Sequence, residues 1–485
     1  MEEKAVRSVA WTVLTFAANR SVTLISTIVL ARLLAPADFG VIAMSILVLS
    51  ITGIFATLGL GNALIVRLEW GQGELGTVLT LIAGFGALLC GVIELLAPVF
   101  AELLAEPRLT AVLRWSALAL LLSGAGMFYG VLNQRELELQ RNFKAEICQS
   151  ATYAATAIAL AALGAGVWSI VVGQLVQAVT FSAVLLALAP QRVRPTWIPA
   201  VASDALRAGR AYLVQGLLAF VQQNADYVVV GRLLGSTQLG FYSMAYRLAE
   251  LPTWAIGDPV AKVTFPAFTR MRHRGEDVLP TFLSAFRLLA AVVLPIGAIL
   301  SAAAEPFTLT VFGDRWLPMA APLAVLGIWG AIRPLQNFTG WLFNSFDMAG
   351  YTARVSLVVV VGLLPCLVLA ARQSLTWVAA VLLAHAAITL TVQTLMARKL
   401  IGLTVRRQVR ALRPVAIAFV VAWGATRGAV ALCAGLPSPV ALVGGAAAGM
   451  AGYLLALWLA DRALPAEATR QLLRIVGRSP RPVGA

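Results

Sequence analysis

Runs of twenty or more mainly apolar residues recur along this 485-residue chain, separated by short clusters of Gly, Pro and charge. About 20 apolar residues in a helix cross the roughly 30 Å of bilayer hydrocarbon. Helices are the form such runs adopt, because lipid offers no partner for an unpaired backbone group. Fourteen segments fit, at 8–34, 39–65, 76–100, 109–132, 145–163, 167–189, 206–234, 239–264, 281–304, 317–345, 352–371, 375–397, 411–434 and 438–460. The expected fold class is therefore an all-α polytopic membrane protein with about 14 transmembrane helices. Composition agrees: 60% of residues are hydrophobic and 12% charged, half the charged share that a soluble surface carries.

The net charge of +15 would suggest nucleic acid in a soluble protein. In a membrane protein it reads as orientation, since Lys and Arg collect in cytoplasmic loops. With the N-terminus placed in the cytoplasm, most of the 37 Lys and Arg fall on that side, among them Arg135, Arg141, Arg192, Arg194, Arg270 and Arg272. The stretch MEEKAVRSVAWTVLTFAANR lacks a small-residue cleavage site and is expected to be retained. Both termini are then expected to be cytoplasmic, in a multi-pass membrane protein with no nucleic-acid partner. Cys90, Cys148, Cys366 and Cys433 lie apart and read as packing residues, leaving no metal site. Trp316 and Tyr351, near segment ends, read as interfacial anchors.

The chain writes one turn twice, as ARLLAPADFG from Ala31 and GRLLGSTQLG from Gly231. At an offset of 200, Val29, Arg32, Leu33, Leu34, Gly40 and Met44 match Val229, Arg232, Leu233, Leu234, Gly240 and Met244. The turns sit between segments 1 and 2 and between segments 7 and 8, so each repeat holds six helices. Six is even, which relates the repeats by a parallel pseudo-two-fold axis along the membrane normal. The expected domains are an N-terminal lobe (1–190), a cytoplasmic linker (191–205), a C-terminal lobe (206–397), two further helices (398–460) and a cytoplasmic tail (461–485).

The stretch QQNADYVVVGRLLGSTQLGFYSMAYRLAELP, followed by FPAFTRM and FGDRWLP, resembles the Wzx-type oligosaccharide flippases and polysaccharide transporters. These belong to the multidrug/oligosaccharidyl-lipid/polysaccharide exporter superfamily. The resemblance implies two six-helix lobes plus two C-terminal helices. It also implies movement of undecaprenyl-diphosphate-linked oligosaccharide repeat units to the outer leaflet by alternating access, for cell-surface polysaccharide biosynthesis. A polysaccharide polymerase and assembly proteins would be its partners, beside membrane lipids. In the lipid II flippases of the superfamily the last two helices form a groove for the lipid tail, which makes segments 13 and 14 candidates for that role here.

A sugar hydroxyl taken into hydrocarbon without a partner costs several kcal/mol, so a diphosphate-linked glycan needs a polar corridor. Charges within the segments are its candidate lining, since each is costly at bilayer depth. Arg20, Arg247 and Arg333 are candidate diphosphate ligands, because a guanidinium stays protonated and offers a planar fork of donors. Asn19, Gln215, Gln222, Asp226 and Glu250 are candidate polar lining, with Gln215, Gln222 and Asp226 at spacings of seven and four on one helix side. The bland alternative is that the arginines pair with Asp226, Glu250 or Glu94 and hold the bundle together. His385 and Arg427 are weaker candidates, each a lone polar group in an apolar run.

The rival reading is a cation-coupled multidrug exporter of the same superfamily. Such exporters use a first-lobe carboxylate, often in helix 1, where this chain has Arg20 instead. Asp226, Glu250 and Glu94 are the possible coupling-ion ligands. The chain shows no general acid/base cluster, Walker loop or metal motif, so no catalytic residue and no cofactor is expected and the protein reads as a transporter rather than an enzyme.

Overall fold

The computed structural model describes residues 19, 21–57, 71–136, 138–346, 348 and 361–461. Among them the chain is helical throughout its regular structure. In chain order the helices are α1 (Ser21–Leu33), α2 (Pro36–Thr57), α3 (Gln72–Leu103), α4 (Arg108–Arg135), α5 (Leu139–Ala162), α6 (Val167–Ala187) and α7 (Pro199–Ala249). They continue as α8 (Asp258–His273), α9 (Leu279–Ala302), α10 (Ala304–Val311), α11 (Ala320–Ser345), α12 (Val361–Ala371), α13 (Leu375–Ile401), α14 (Val405–Leu432) and α15 (Ser438–Ala460). Nine helices among the described residues are long and apolar enough to cross a membrane. Large apolar side chains such as Leu95, Val420, Val443 and Leu459 stand on the surface, as they must in a molecule whose solvent is lipid.

The chain divides into two compact units, Met1–Ser243 and Met244–Ala485, so that both copies of the repeated turn lie in the first. The two copies turn by different chemistry. In the first, Pro36 opens α2, its missing N–H falling where a helix start has no use for one, and the Asp38 carboxylate accepts from the Ala35 backbone N–H at 3.2 Å. In the second, Gly235 breaks α7 with φ of 83°, a conformation that a side chain would strain.

The two turns pack on each other reciprocally. A Cβ on Gly40 would collide with the carbonyl of Ser236, and one on Gly240 would collide with the carbonyl of Pro36. Positions 36 and 40 thus meet positions 236 and 240 under the same offset that the sequence repeat carries. Helix association in lipid gains nothing from excluding water, and close backbone approach over glycine is its usual substitute. Met44 reinforces the contact, its Cε standing 3.2 Å from where a Cβ on Gly231 would project.

Loop residue Glu106 and Arg108, the first residue of α4, cover this junction. Arg108 donates to Glu106 through Nε at 2.9 Å, reaches the Ser236 hydroxyl at 3.4 Å and faces Asp38 at 3.7 Å. One guanidinium therefore touches residues from both copies of the turn. Burial pushes the Glu106 carboxyl up, but the Arg108 and Ser236 hydrogen bonds and the Arg108 charge outweigh it and hold it below the ordinary carboxylate range.

Elsewhere unit 1 is built on Val78, Leu81, Phe128, Tyr129 and Leu185, with the segment before α7 laid along α3. That segment is pinned by Val193 N–H donating to the Tyr129 hydroxyl at 3.1 Å and Ile198 N–H donating to Thr77 Oγ1 at 3.0 Å. Unit 2 packs a nest of rings, Phe268, Phe282, Phe286 and Phe338, at centroid separations of 5.4 to 6.2 Å. The last two helices join this unit on α9, where Tyr453 donates to the Ala291 carbonyl at 2.7 Å and Trp423 donates to Ser301 at 3.2 Å. Arg287 of α9 also pairs with Asp461 just past α15. Trp316 corrects the sequence reading: its ring is fully buried against Phe312 at 5.9 Å, because the 3₁₀ turn Asp314–Met319 folds it inward rather than toward an interface. Tyr351 lies outside the described residues.

Gly40→Ala and Gly240→Ala are each expected to lower unfolding stability by about 1–3 kcal/mol, as overpacking against backbone does. Together they should cost less than their sum, since one contact is lost only once. Gly91→Ala, with open space around it, should be neutral or stabilising by this reasoning; thermal melts in detergent followed by Trp fluorescence check all four. Because the Glu106 carboxyl is depressed in the folded state, its stabilisation is present above its unfolded value and disappears as pH falls through the lower folded one. Wild type should exceed Glu106→Gln by about 1 kcal/mol at pH 7, a figure kept small because Arg108 is half exposed. That difference should begin to shrink as pH falls through the unfolded value of about 4.3 and be gone only below the lower folded value.

Candidate functional site

Among the described residues, three polar groupings bear on the sequence candidates or on a cavity. The first is in unit 1, where α1 meets α5. Asn19 accepts from the Ser150 hydroxyl, and the Glu146 carboxyl hydrogen-bonds to the Asn19 side chain. Arg20 lies outside the described residues. Glu146 is a carboxylate that sequence reasoning passed over, because it sits among basic residues at a segment edge and looks like an exposed loop group.

Helix α2 and helices α4 to α6 line the second cluster, an open cavity of about 340 Å³. Ser50, Ser116, Ser123, Gln149, Gln174 and Gln177 supply its polar wall, with Phe181 among the apolar members. Ser116 is fully buried, and its hydroxyl has no hydrogen-bond partner among the described residues. None of these residues stood out in the sequence, since single Ser and Gln residues in apolar segments carry no spacing signal until four helices are brought together.

Unit 2 holds the third, between α11 and α13. Arg333 lies over the Trp329 ring at 5.6 Å, and that ring in turn meets Tyr246 at a centroid distance of 4.8 Å. Pro334 follows at once and supplies no N–H to the carbonyl of Gly330, which leaves a further polar group in the same turn. Buried atoms without hydrogen-bond partners among the described residues include Arg333 Nε, Gln336 Oε1, His385 Nε2, Thr389 Oγ1 and Gln393 Oε1. His385, Thr389 and Gln393 are four residues apart and share one face of α13. The Arg333 charge acts on His385, and the Gln393 amide lies 4.0 Å from where a Cβ on Gly340 would stand, so the two helices run side by side with their polar rows facing. Each orphaned group carries a desolvation cost of about 1–3 kcal/mol, which a bound polar partner would remove.

The remaining sequence candidates are dispersed. Asp226 is buried in α7 and accepts from the Tyr242 hydroxyl across the Gly235 break, tying the two arms of that helix together. Gln222 is half-buried one turn earlier, while Gln215 lies on the same helix with its side chain outside the described set. Arg247 is exposed and Glu250 half-buried, each with interaction partners of its own. Glu94 faces Arg114 at 3.5 Å, and Arg427 is exposed on α14. The described residues contain no group of three or more His, Cys, Asp or Glu arranged to hold a metal ion.

Comparison with known proteins places this architecture. A family model described as "Polysaccharide biosynthesis protein" matches residues 29–321, more than half of the chain. The lipopolysaccharide biosynthesis protein WzxC of Escherichia coli K12 is 24% identical over 348 residues, covering 70% of each chain. The succinoglycan biosynthesis transport protein ExoT of Rhizobium meliloti is 25% identical over 340 residues, 69% of this chain and 68% of that one. The teichuronic acid biosynthesis protein TuaB of Bacillus subtilis is 29% identical over 294 residues, 58% of this chain and 59% of its own. Among solved structures, the lipid II flippase MurJ in an inward closed conformation superposes with a TM-score of 0.75 at 10% identity, over 95% of this chain and 99% of that one. An inward-facing multidrug transporter of the MATE family gives 0.64 at 15% identity, over 80% and 94%. At such identities the superpositions establish the fold, and the sequence match establishes the kinship: this chain belongs to the polysaccharide biosynthesis protein family of multi-pass membrane proteins.

Proposed function

We propose that this protein is a flippase that carries undecaprenyl-diphosphate-linked oligosaccharide units from the inner to the outer leaflet of a bacterial cytoplasmic membrane. Both termini lie in the cytoplasm on this reading, which places the paired turns and the Arg108 contact on the outer side. The observation that carries the proposal is the row of buried polar atoms along α11 and α13, beside a guanidinium, that have no hydrogen-bond partner among the described residues. A protein that only packed its helices would gain by replacing those groups with apolar ones. One that passes a hydroxylated, phosphorylated headgroup needs them, because they replace the water the headgroup gives up. Membership in a polysaccharide biosynthesis family and the MurJ-like fold agree with this.

The mechanism follows from what each group can do. Arg333, with Arg20 and Arg247 as further cations, holds the diphosphate through charge-assisted hydrogen bonds. Neutralising the dianion lowers the cost of closing the protein around it. The glycan passes along the amide and hydroxyl surfaces, Gln215, Gln222 and Asp226 included, while the polyprenyl tail stays in lipid. Opening outward requires the paired turns to part, and Asp226, Glu250 and Glu94 are the carboxylates available to couple that step to an ion. The two C-terminal helices offer the tail an apolar surface, and a polymerase and assembly proteins take the product on the outer side.

Reconstitution into vesicles that hold a lipid-diphosphate-linked oligosaccharide on one leaflet tests the proposal directly, by the rate at which an added glycosidase or lectin gains access to the sugar. Wild type should translocate it, Arg333→Gln should be slower by about tenfold or more, and Arg333→Lys should fall between, keeping the charge and losing the fork. Headgroup movement indistinguishable from protein-free vesicles would refute the reading. His385→Leu and Gln393→Leu should change unfolding stability by less than about 1 kcal/mol while depressing transport, since each removes a buried atom, His385 Nε2 or Gln393 Oε1, with no hydrogen-bond partner among the described residues. A loss above about 2 kcal/mol with transport intact would assign the row to structure.

A further inference from the structure

We infer that the cavity between α2, α4, α5 and α6 is a docking site for an uncharged sugar ring of the transported glycan. The inference rests on the flippase reading and deepens it, because it names the class of sugar. Three observations carry it. The polar wall consists of amides and hydroxyls, Gln149, Gln174, Gln177, Ser50, Ser116 and Ser123, and none of the described residues that line the cavity is charged. Each amide offers two donors and an acceptor and each hydroxyl offers both, which is the repertoire that sugar hydroxyls satisfy in turn. A uronate or an amino sugar entering the same space would meet no counter-charge on this described lining to offset the hydration it gives up there.

The second observation is Ser116, fully buried and without a hydrogen-bond partner among the described residues, on the cavity wall. Such a group is costly unless something polar reaches it. The third is the shape of the apolar remainder. A side chain on Gly126 would collide with the Phe181 ring, 2.6 Å from where its Cβ would lie, so the absence of one lets the ring settle against the α4 backbone. Phe181 thereby presents an aromatic surface beside the amides, suited to the C–H face of a pyranose. At about 340 Å³ the cavity is in the range of small-ligand sites.

The full chain in lipid nanodiscs, titrated by saturation-transfer NMR, tests this with methyl glycosides of glucose, galactose, mannose and rhamnose as neutral probes and methyl galacturonoside as the charged one. At least one neutral glycoside should bind in the millimolar range, at least tenfold more tightly than the uronate. Gln174→Leu and Gln177→Leu should each weaken it about tenfold. Ser116→Ala should weaken binding severalfold while leaving the melting temperature unchanged or higher, which a structural hydroxyl would not do. Failure of every neutral probe, equal binding of the uronate, or binding unaltered in the variants would overturn the inference. Gln-dependent binding of ethidium would do the same in favour of a drug site. The vesicle assay separates the two levels: a wild-type protein that moves no lipid-linked sugar defeats the flippase reading, whereas normal translocation with unchanged glycoside affinity in the Gln variants defeats only the sugar site.

Discussion

Two glycines resting on two carbonyls organise this molecule. Gly40 against Ser236 and Gly240 against Pro36 are one contact made twice, and they let two helix turns from different repeats approach to backbone distance. Lipid supplies no hydrophobic force between helices, so close packing of this kind substitutes for it. Such a contact is also bistable in principle, since it rests on shape rather than on a web of polar bonds, and little holds it once the surfaces separate. The Arg108 group adds a polar clasp over it, half exposed and therefore weak. On the proposed cycle a junction with this character suits an outer closure that must open at every turnover.

The polar clusters show a second economy. Many buried Thr and Ser hydroxyls are satisfied locally, bonding back to carbonyls three or four residues earlier, as Thr52 does to Val48 and Thr339 to Leu335. Against that background Arg333, Gln336, His385, Thr389 and Gln393 form a row of atoms without hydrogen-bond partners among the described residues, whereas Ser45, Ser116, Thr253 and Thr426 are single ones. Neutral groups dominate the row. On the proposed reading, weak neutral contacts along the glycan favour its release, and ionic contact is confined to the diphosphate.

Much of the fold was legible in the sequence because the bilayer imposes a length on every helix. The apolar segments map onto the helices α1 to α7, α8 with the arm of α7 after Gly235, α9 and α11 to α15. The offset of 200 between the turns predicted equivalent places in the chain, and the reciprocal glycine contact gives that arithmetic a physical basis. What stayed illegible depended on side-chain direction. Trp316 looked interfacial by position, yet a 3₁₀ turn buries it. Asp226 stood out as a charge in an apolar run, while its partner Tyr242, sixteen residues on, is intelligible only once Gly235 folds the helix back. Arg333 was visible as an isolated cation, whereas Gln336, Thr389 and Gln393 gained meaning only from the neighbouring helix.

The central claim is that the paired turns close the outer side and part during transport. Spin labels at Ala35 and Thr237, exposed positions beside the contact, would report their separation by pulsed electron–electron resonance in nanodiscs. A short distance should dominate in the empty protein, and a second, longer population should grow when lipid-linked oligosaccharide is supplied. A single short distance that persists while the same labelled protein translocates substrate would contradict the account.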